Sequence, residues 1–460
     1  MIAAVHFGEE RRHKIMQSNR ASLASPNTLS VGAAWLITFA AGFGLFFDAF
    51  ASVIYTVTVP LVAKDFHVSP HVLAGTFGSV FLIGYTFGTI LFGVLADRLG
   101  RRLTLGVSIV GYGVATALTG LSNNLLMLGG LRCVTGVGGA GEFSVGFPYV
   151  SEVWSRAKMA RAIGLTYAFW GLGYFFTIFV FETLVPRFGW RASYFFALIP
   201  TALILIARLR LEESPRFVHV LEALKKLNTK KTTLGQAWRM PKYRRRLGAA
   251  ILIAIAITYG YYALAFYLSA YVVGTYHMTP ASAGWFTMLF VAGDMFGIPI
   301  AVLAANRFGR RRSALIGGVI GMVVTFLWWQ GNLSLQSFGI LEFLGSTFIG
   351  FEWTIALIVL CEIFPTEIRA SAFGWSLGIG RIVSIAAPSV TELLAHYIGL
   401  ERAIQSSVLI YLCLLIGFLL LPESKTMESS EFVLSPEDLD GELVLASAGN
   451  LQGRANLEVR

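Results

Sequence analysis

The chain has 460 residues, 55% hydrophobic and 13% charged, with a mean hydropathy of +0.68; soluble proteins carry about 25% charged residues, so the composition is that of a membrane protein. The net charge of +10 does not point to nucleic acid, because the basic residues sit in short stretches between apolar runs. Three cysteines without ligand-like spacing (Cys133, Cys361, Cys413) support neither a disulfide framework nor a metal site, and no phosphate loop, zinc motif or nucleophile constellation suggests an enzyme or a cofactor.

In chain order, residues 1–30 are polar and basic, lack the apolar core of a cleavable signal peptide, and read as a cytoplasmic N-terminal segment. Apolar runs near the roughly 20 residues that cross a bilayer as a helix then follow at 33–56, 72–95, 103–122, 124–148, 162–184 and 190–208. A basic stretch, 210–246, precedes six more at 247–271, 281–304, 313–330, 336–361, 371–394 and 403–421. Barrel-type alternation is absent. The fold class expected is therefore an all-α membrane protein of twelve transmembrane helices in two six-helix bundles, 31–209 and 247–421, joined by a cytoplasmic linker at 210–246. Residues 422–460, acidic and non-periodic, read as a disordered cytoplasmic tail. Arg98, Arg101, Arg102, Arg307, Arg310, Arg311 and Arg312 fall on the same side as the N-terminus and linker, and the positive-inside rule makes that side cytoplasmic. Trp328 and Trp329 are expected to be interfacial anchors.

The two halves repeat. GVLADRLGRR at 93–102 returns within AVLAANRFGRRR at 301–312, pairing Asp97 with Asn306, Arg101 with Arg310 and Arg102 with Arg311. GGAGEFSVGFPYVSEVW in span four answers IGFEWTIALIVLCEIF in span ten, pairing Glu142 with Glu352 and Glu152 with Glu362 at a separation of 210. The G-x3-D-R-x-G-R-R stretch resembles the loop signature of the major facilitator superfamily. Several further stretches, GGAGEF, LRLEESPRF and EIFPTEIRASAFGWSLGIGR among them, are similar to metabolite:proton, aromatic-acid:proton and sialate:proton symporters. Organic-cation carriers and sugar porters share some of these pieces. The resemblance covers nearly the whole chain, with one departure: those symporters often carry D-G-F-D in span one, where this chain reads DAFA at 48–51, so that Ala51 replaces the second acid. That leaves coupling through fewer acids, or a different substrate.

Charges inside a bilayer are costly, about 2.5–3.5 kcal/mol on insertion scales, and usually face a cavity or a partner. In the fold that the chain resembles, spans one, four, seven and ten line a central cavity, which makes Asp48, Glu142 and Glu352 candidate proton-coupling acids; each also has a structural reading as an acid bonded to a neighbouring helix. Arg381 presents a fork suited to a carboxylate and is either a substrate clamp or a fixed partner of Asp294 or of an acid in the other half. Asp294, Tyr259, Tyr262 and Trp353 complete the candidate substrate site. Glu152, Glu362, Arg161 and Arg369 at the helix ends are expected to form a gating or structural ion-pair set. The resemblance also implies a cytoplasmic gate in which Asp97, with Arg98, Arg101 and Arg102 nearby, meets the N-terminal end of span eleven.

These readings converge on a secondary transporter moving a small carboxylate-bearing substrate with protons by alternating access. It would be a monomer in a bacterial inner membrane with both termini cytoplasmic and no nucleic-acid partner. Proton-coupled export of drugs or organic cations, or sugar-type facilitation, are the alternatives.

Overall fold

Residues 29–226 and 231–422 are described in the computed structural model of the chain. The expected N-terminal segment, but for residues 29 and 30, and the tail beyond residue 422 lie outside them. Spans one to four are the helices Val31–Phe66, Pro70–Leu99, Arg101–Thr119 and Leu125–Val153. Span five and the start of span six form one helical run, Arg156–Phe195, broken at Gly189, and span six ends as Leu198–Leu209. In the second half, spans seven to ten are Pro241–Tyr276, Pro280–Phe308, Arg310–Trp328 and Leu335–Glu362. Span eleven is Arg369–Ile385 continued by Ala387–Ile398, and span twelve runs from Leu400 to Leu420. Ten of these helices are long and apolar enough to cross a bilayer on their own count; span four and the two-piece span six complete twelve.

Local chemistry sets the breaks, and the breaks repeat. Ser30 and Asn124 accept hydrogen bonds from Ala33 N (3.1 Å) and Met127 N (2.8 Å) and start spans one and four. Gly100 and Gly309, at φ 101° and 94°, turn span two into three and span eight into nine. Gly189 and Gly399, at φ 77° and 83°, separate spans five and six and spans eleven and twelve. Such φ values suit glycine, which has no Cβ to clash. His67 and His277, both at φ 53°, close spans one and seven. Each pair is 209 or 210 residues apart, so the internal repeat extends from motifs to backbone.

The expected linker, 210–246, contains the helices Pro215–Lys226 and Leu234–Arg239 and the first turns of the helix Pro241–Tyr276. One expectation changes. Trp328 and Trp329 are not interfacial anchors: they are 0% and 1% exposed, packed with Phe338 at ring distances of 6.1 and 5.9 Å and with Tyr271 and Phe290. The helix places them inward, where Gly345 of span ten makes room for the Trp328 ring.

The halves meet along two seams. Spans five and eight pack where Gly164 faces Val302 and Ile298, and Gly171 faces Met295. Spans two and eleven touch backbone to backbone at the end carrying the basic loops: a Cβ on Gly93 would stand 2.5 Å from the Ala370 carbonyl oxygen. Gly75 lies on the same face of span two, eighteen residues or five turns earlier, and roughly 27 Å away. A Cβ there would meet nothing within 4 Å. This face of span two is thus packed against the second half at the basic end and open at Gly75.

Candidate functional site: a central arginine cluster and an end gate

Midway along the closed seam, Arg381 of span eleven reaches across to the first half. Its Nη1 donates to Thr89 Oγ1 at 2.9 Å, and its guanidinium lies 4.0 Å over the Tyr85 ring and 5.4 Å from that of Phe143. Tyr85 in turn donates its hydroxyl to Asp48 Oδ2 at 2.9 Å. Gly139 of span four leaves the space for that carboxylate, since a Cβ there would come 2.2 Å from Asp48 Oδ1. Among the described residues Arg381 forms no ion pair, and its fork is left with donors to spare. Tyr262 lies within electrostatic reach of both Arg381 and Asp48.

Aromatic rings continue from this cluster into the second half. Phe143 meets Trp353 edge-on at 6.4 Å; Trp353 stacks on Tyr167 at 6.2 Å and 17° and meets Tyr261 at 6.5 Å. The Tyr167 hydroxyl is 3.4 Å from both oxygens of Asp294, a bond between spans five and eight of opposite halves. Asp294 is therefore engaged by a tyrosine and does not pair with Arg381, which answers one of the alternatives left open above. Tyr259 is half-buried, and no contact joins it to the cluster among the described residues.

Glu142 is held elsewhere. Arg208, at the end of span six, grips it with Nη1 to Oε1 at 2.8 Å and Nη2 to Oε2 at 2.5 Å, and both side chains are at most 1% exposed. Arg208 also donates to the Leu105 and Ala40 carbonyls, so this pair ties spans one, three, four and six of the first half together. Gly44 is the gap that admits it: a Cβ there would clash with both charged groups. Glu352, the repeat mate, has no such partner.

At the basic end, Arg101 is fully buried and chelates Glu152 through Nε and Nη2 at 3.1 and 2.9 Å. It also pairs with Asp97 at 3.0 Å and donates to Thr366 O, in the second half, at 2.8 Å. Arg369 Nη1 crosses to Glu152 Oε1 at 3.1 Å. Asp97 accepts from Ser371 N at 2.7 Å and Ala370 N at 3.4 Å, at the N-terminus of span eleven where unpaired amides and the helix dipole favour an anion. The repeat mate of the first pair, Arg310 with Glu362 at 3.0 Å, stays within the second half. Arg98 and Arg161 are exposed and lie off this network, while Arg102 donates to Glu213 of the linker and to the carbonyl of Leu209, the last residue of span six. The linker also covers this network: Lys231 donates to the Asp97 carbonyl and Arg216 to those of Ser151 and Trp154. Burial pushes the Glu367 carboxyl in the loop before span eleven above its ordinary value, with bonds from Thr232 working against it, and pulls the Lys231 ammonium down despite the nearby Asp97.

Sequence reasoning missed Arg208, Arg132 and Glu342. Arg132 of span four is 2% exposed, stacks over Phe81 and Tyr55 at 4.3 and 4.5 Å, and donates to the carbonyl of Ala51, the position where the resembling symporters carry their second acid. Glu342, also buried, lies 210 residues on. A charge inside an apolar run was the available signal for both.

A family model described as the Major Facilitator Superfamily matches residues 41–279 and 250–441. The chain is 27% identical to a putative metabolite transport protein of Haemophilus influenzae, over 85% of this chain and 96% of that one. It is 26% identical to the niacin transporter NiaP of Acinetobacter baylyi, over 84% and 94%. Among solved structures, the proton:xylose symporter XylE superposes with a TM-score of 0.72 at 16% identity, covering 88% of this chain and 99% of that one; that likeness concerns the fold.

Proposed function

The chain belongs to the major facilitator superfamily, a multi-pass transporter and not an enzyme, and from that premise we propose that it carries a small organic acid with protons across the membrane by alternating access. The observation that carries the reading is Arg381: a guanidinium at the seam between the halves, stacked on Tyr85, with no acid paired to it among the described residues. Such a fork binds a carboxylate with two parallel bonds. The rings of Tyr85, Phe143, Tyr167, Tyr261 and Trp353 supply flat apolar surface beside it, which fits an aromatic acid; niacin, in the name of one relative, is of that kind. An organic cation would meet the arginine unfavourably.

In this reading Asp48 is the coupling acid. It reaches Arg381 through Tyr85, so a substrate carboxylate arriving at Arg381 raises the local negative charge and favours a proton on Asp48. Glu142, fixed by Arg208, serves the packing of the first half. With the basic end cytoplasmic, the closed gate makes this the outward-facing arrangement, ready to load substrate and proton together for import through a bacterial inner membrane.

Proteoliposome uptake of labelled nicotinate, with and without an inward proton gradient, tests this. Accumulation above equilibrium only with the gradient is expected, as is loss of nicotinate binding by Arg381→Gln. Asp48→Asn should retain exchange of nicotinate across the membrane but lose gradient-driven accumulation. Equal uptake with and without the gradient would sink symport.

A further inference from the structure

Glu142 and Glu352 stand 210 residues apart in equivalent helices, yet one is neutralised and the other is not. The position that answers Arg208 in the second half is Phe418, inside span twelve and fully buried. Both carboxyl oxygens of Glu352 are buried without a hydrogen-bond partner, and the residue is 3% exposed. Span nine makes room for it: a Cβ on Gly317 would stand 2.7 Å from Oε1. Beside the carboxyl lies a cavity of about 20 Å³ walled by Gly260, Tyr261, Ile349, Trp353, Tyr411 and Leu414, space enough for one water.

No cation faces Glu352 among the described residues. Span seven presents Tyr261 and span twelve Tyr411, whose hydroxyl is 3.5 Å from Thr325 Oγ1. Span nine presents Gly317 and Gly318. Asp294 of span eight backs onto Gly350 of span ten, and its carboxylate accepts from the Tyr167 hydroxyl. A bare carboxylate in these surroundings has neither partner nor solvent to hold its charge, and buried groups in that position take the neutral form instead.

We propose that Glu352 is a proton-binding site in its own right, set behind the central cluster within the second half, beside a cavity with room for a single water. The exchange of arginine for Phe418 is what frees it. The two halves thus use the repeated acid differently, as a fixed brace, Glu142 with Arg208, and as a protonatable group. Its part in transport rests on the symport reading; its binding of a proton does not. The next residue, Trp353, stacks on Tyr167 of the other half, so Glu352 lies one residue from an inter-half contact.

The test is infrared spectroscopy of the purified full-length chain in lipid nanodiscs at neutral pH. The wild type should show a carboxylic-acid C=O band that Glu352→Gln removes and Asp48→Asn leaves in place. Glutamine matches the protonated carboxyl in shape, so the variant should fold. Loss of ionised carboxylate bands in its place, or an unchanged spectrum, would overturn the proposal. Phe418→Arg should erase the same band by recreating the pair seen at Glu142; a folded Phe418→Arg protein that retained the band would count against Phe418 as the cause. None of these readouts needs a substrate, so a chain that fails to move nicotinate leaves them intact.

Discussion

Glu142 and Arg208 form a bidentate ion pair from which water is excluded. Removing one partner of such a pair leaves an uncompensated charge and costs about 3–5 kcal/mol, whereas replacing both by apolar residues of similar volume is often neutral. Arg208→Leu is therefore expected to lower the unfolding midpoint sharply and Glu142→Leu to do likewise, while the double variant recovers most of the loss; additive losses in a thermal-shift series would refute a coupled brace. The acid itself stood out in GGAGEFSVGFPYVSEVW, but its partner did not. Arg208 closes an apolar run and adjoins Arg210, where a cation reads as a marker of sidedness. Only the packing of span six against spans one and three brings residues 66 apart together, and no local pattern encodes that. Arg381 was legible for the opposite reason, being a lone cation deep within an apolar helix.

At the scale of the helices, the gate depends on how close spans two and eleven come. A Cβ on Gly93 would meet backbone atoms, Ala370 O at 2.5 Å and Gly374 Cα at 3.3 Å, which cannot move aside as a side-chain tip would. Gly93→Val should therefore wedge the basic end open while leaving each half folded. Spin labels at exposed positions 102 and 312 should report a longer distance in the variant than in the wild type, and unchanged distances would show that the contact does not set closure. The same labels read a pH effect. Burial against the linker raises the Glu367 carboxyl above its ordinary value of 4.5, so the closed gate binds a proton more readily than an open one that exposes this loop. The sign follows from linkage: closure is favoured below 4.5 and loses that advantage as pH rises through the raised value. Closed populations should grow on acidification across that window, and Glu367→Gln should flatten the dependence. Of these features the motif residues Asp97 and Arg101 could be read from the repeat. The partners Thr366 and Ser371 could not, because they act through backbone groups that any residue carries.

At the scale of the molecule, the repeat in sequence becomes a repeat in backbone, through His67 and His277, Gly100 and Gly309, Gly189 and Gly399, and the departures from it carry the asymmetry. Arg369 takes the place that Met159 holds in the first half, so one cross-half ion pair forms at Glu152 where two were conceivable. A structure latched by one charged set at one end can release it as a unit, and the opposite end must then close for the cycle to alternate. The face of span two reports both ends. Gly75 looks onto open space and Gly93 onto Ala370. In a background with Cys133, Cys361 and Cys413 replaced, Gly75→Cys should react rapidly with a membrane-impermeant maleimide applied from the side opposite the basic loops. Gly93→Cys, if it folds, should react from neither side while the gate is shut. Adding nicotinate together with an inward proton gradient should slow labelling at position 75 as that end closes, and should speed it at an exposed basic-loop position only if the loop changes its surroundings. Fast labelling at 75 that ignores substrate and gradient would mean that the open end is a fixed vestibule, and alternating access would have to be sought in the gate alone.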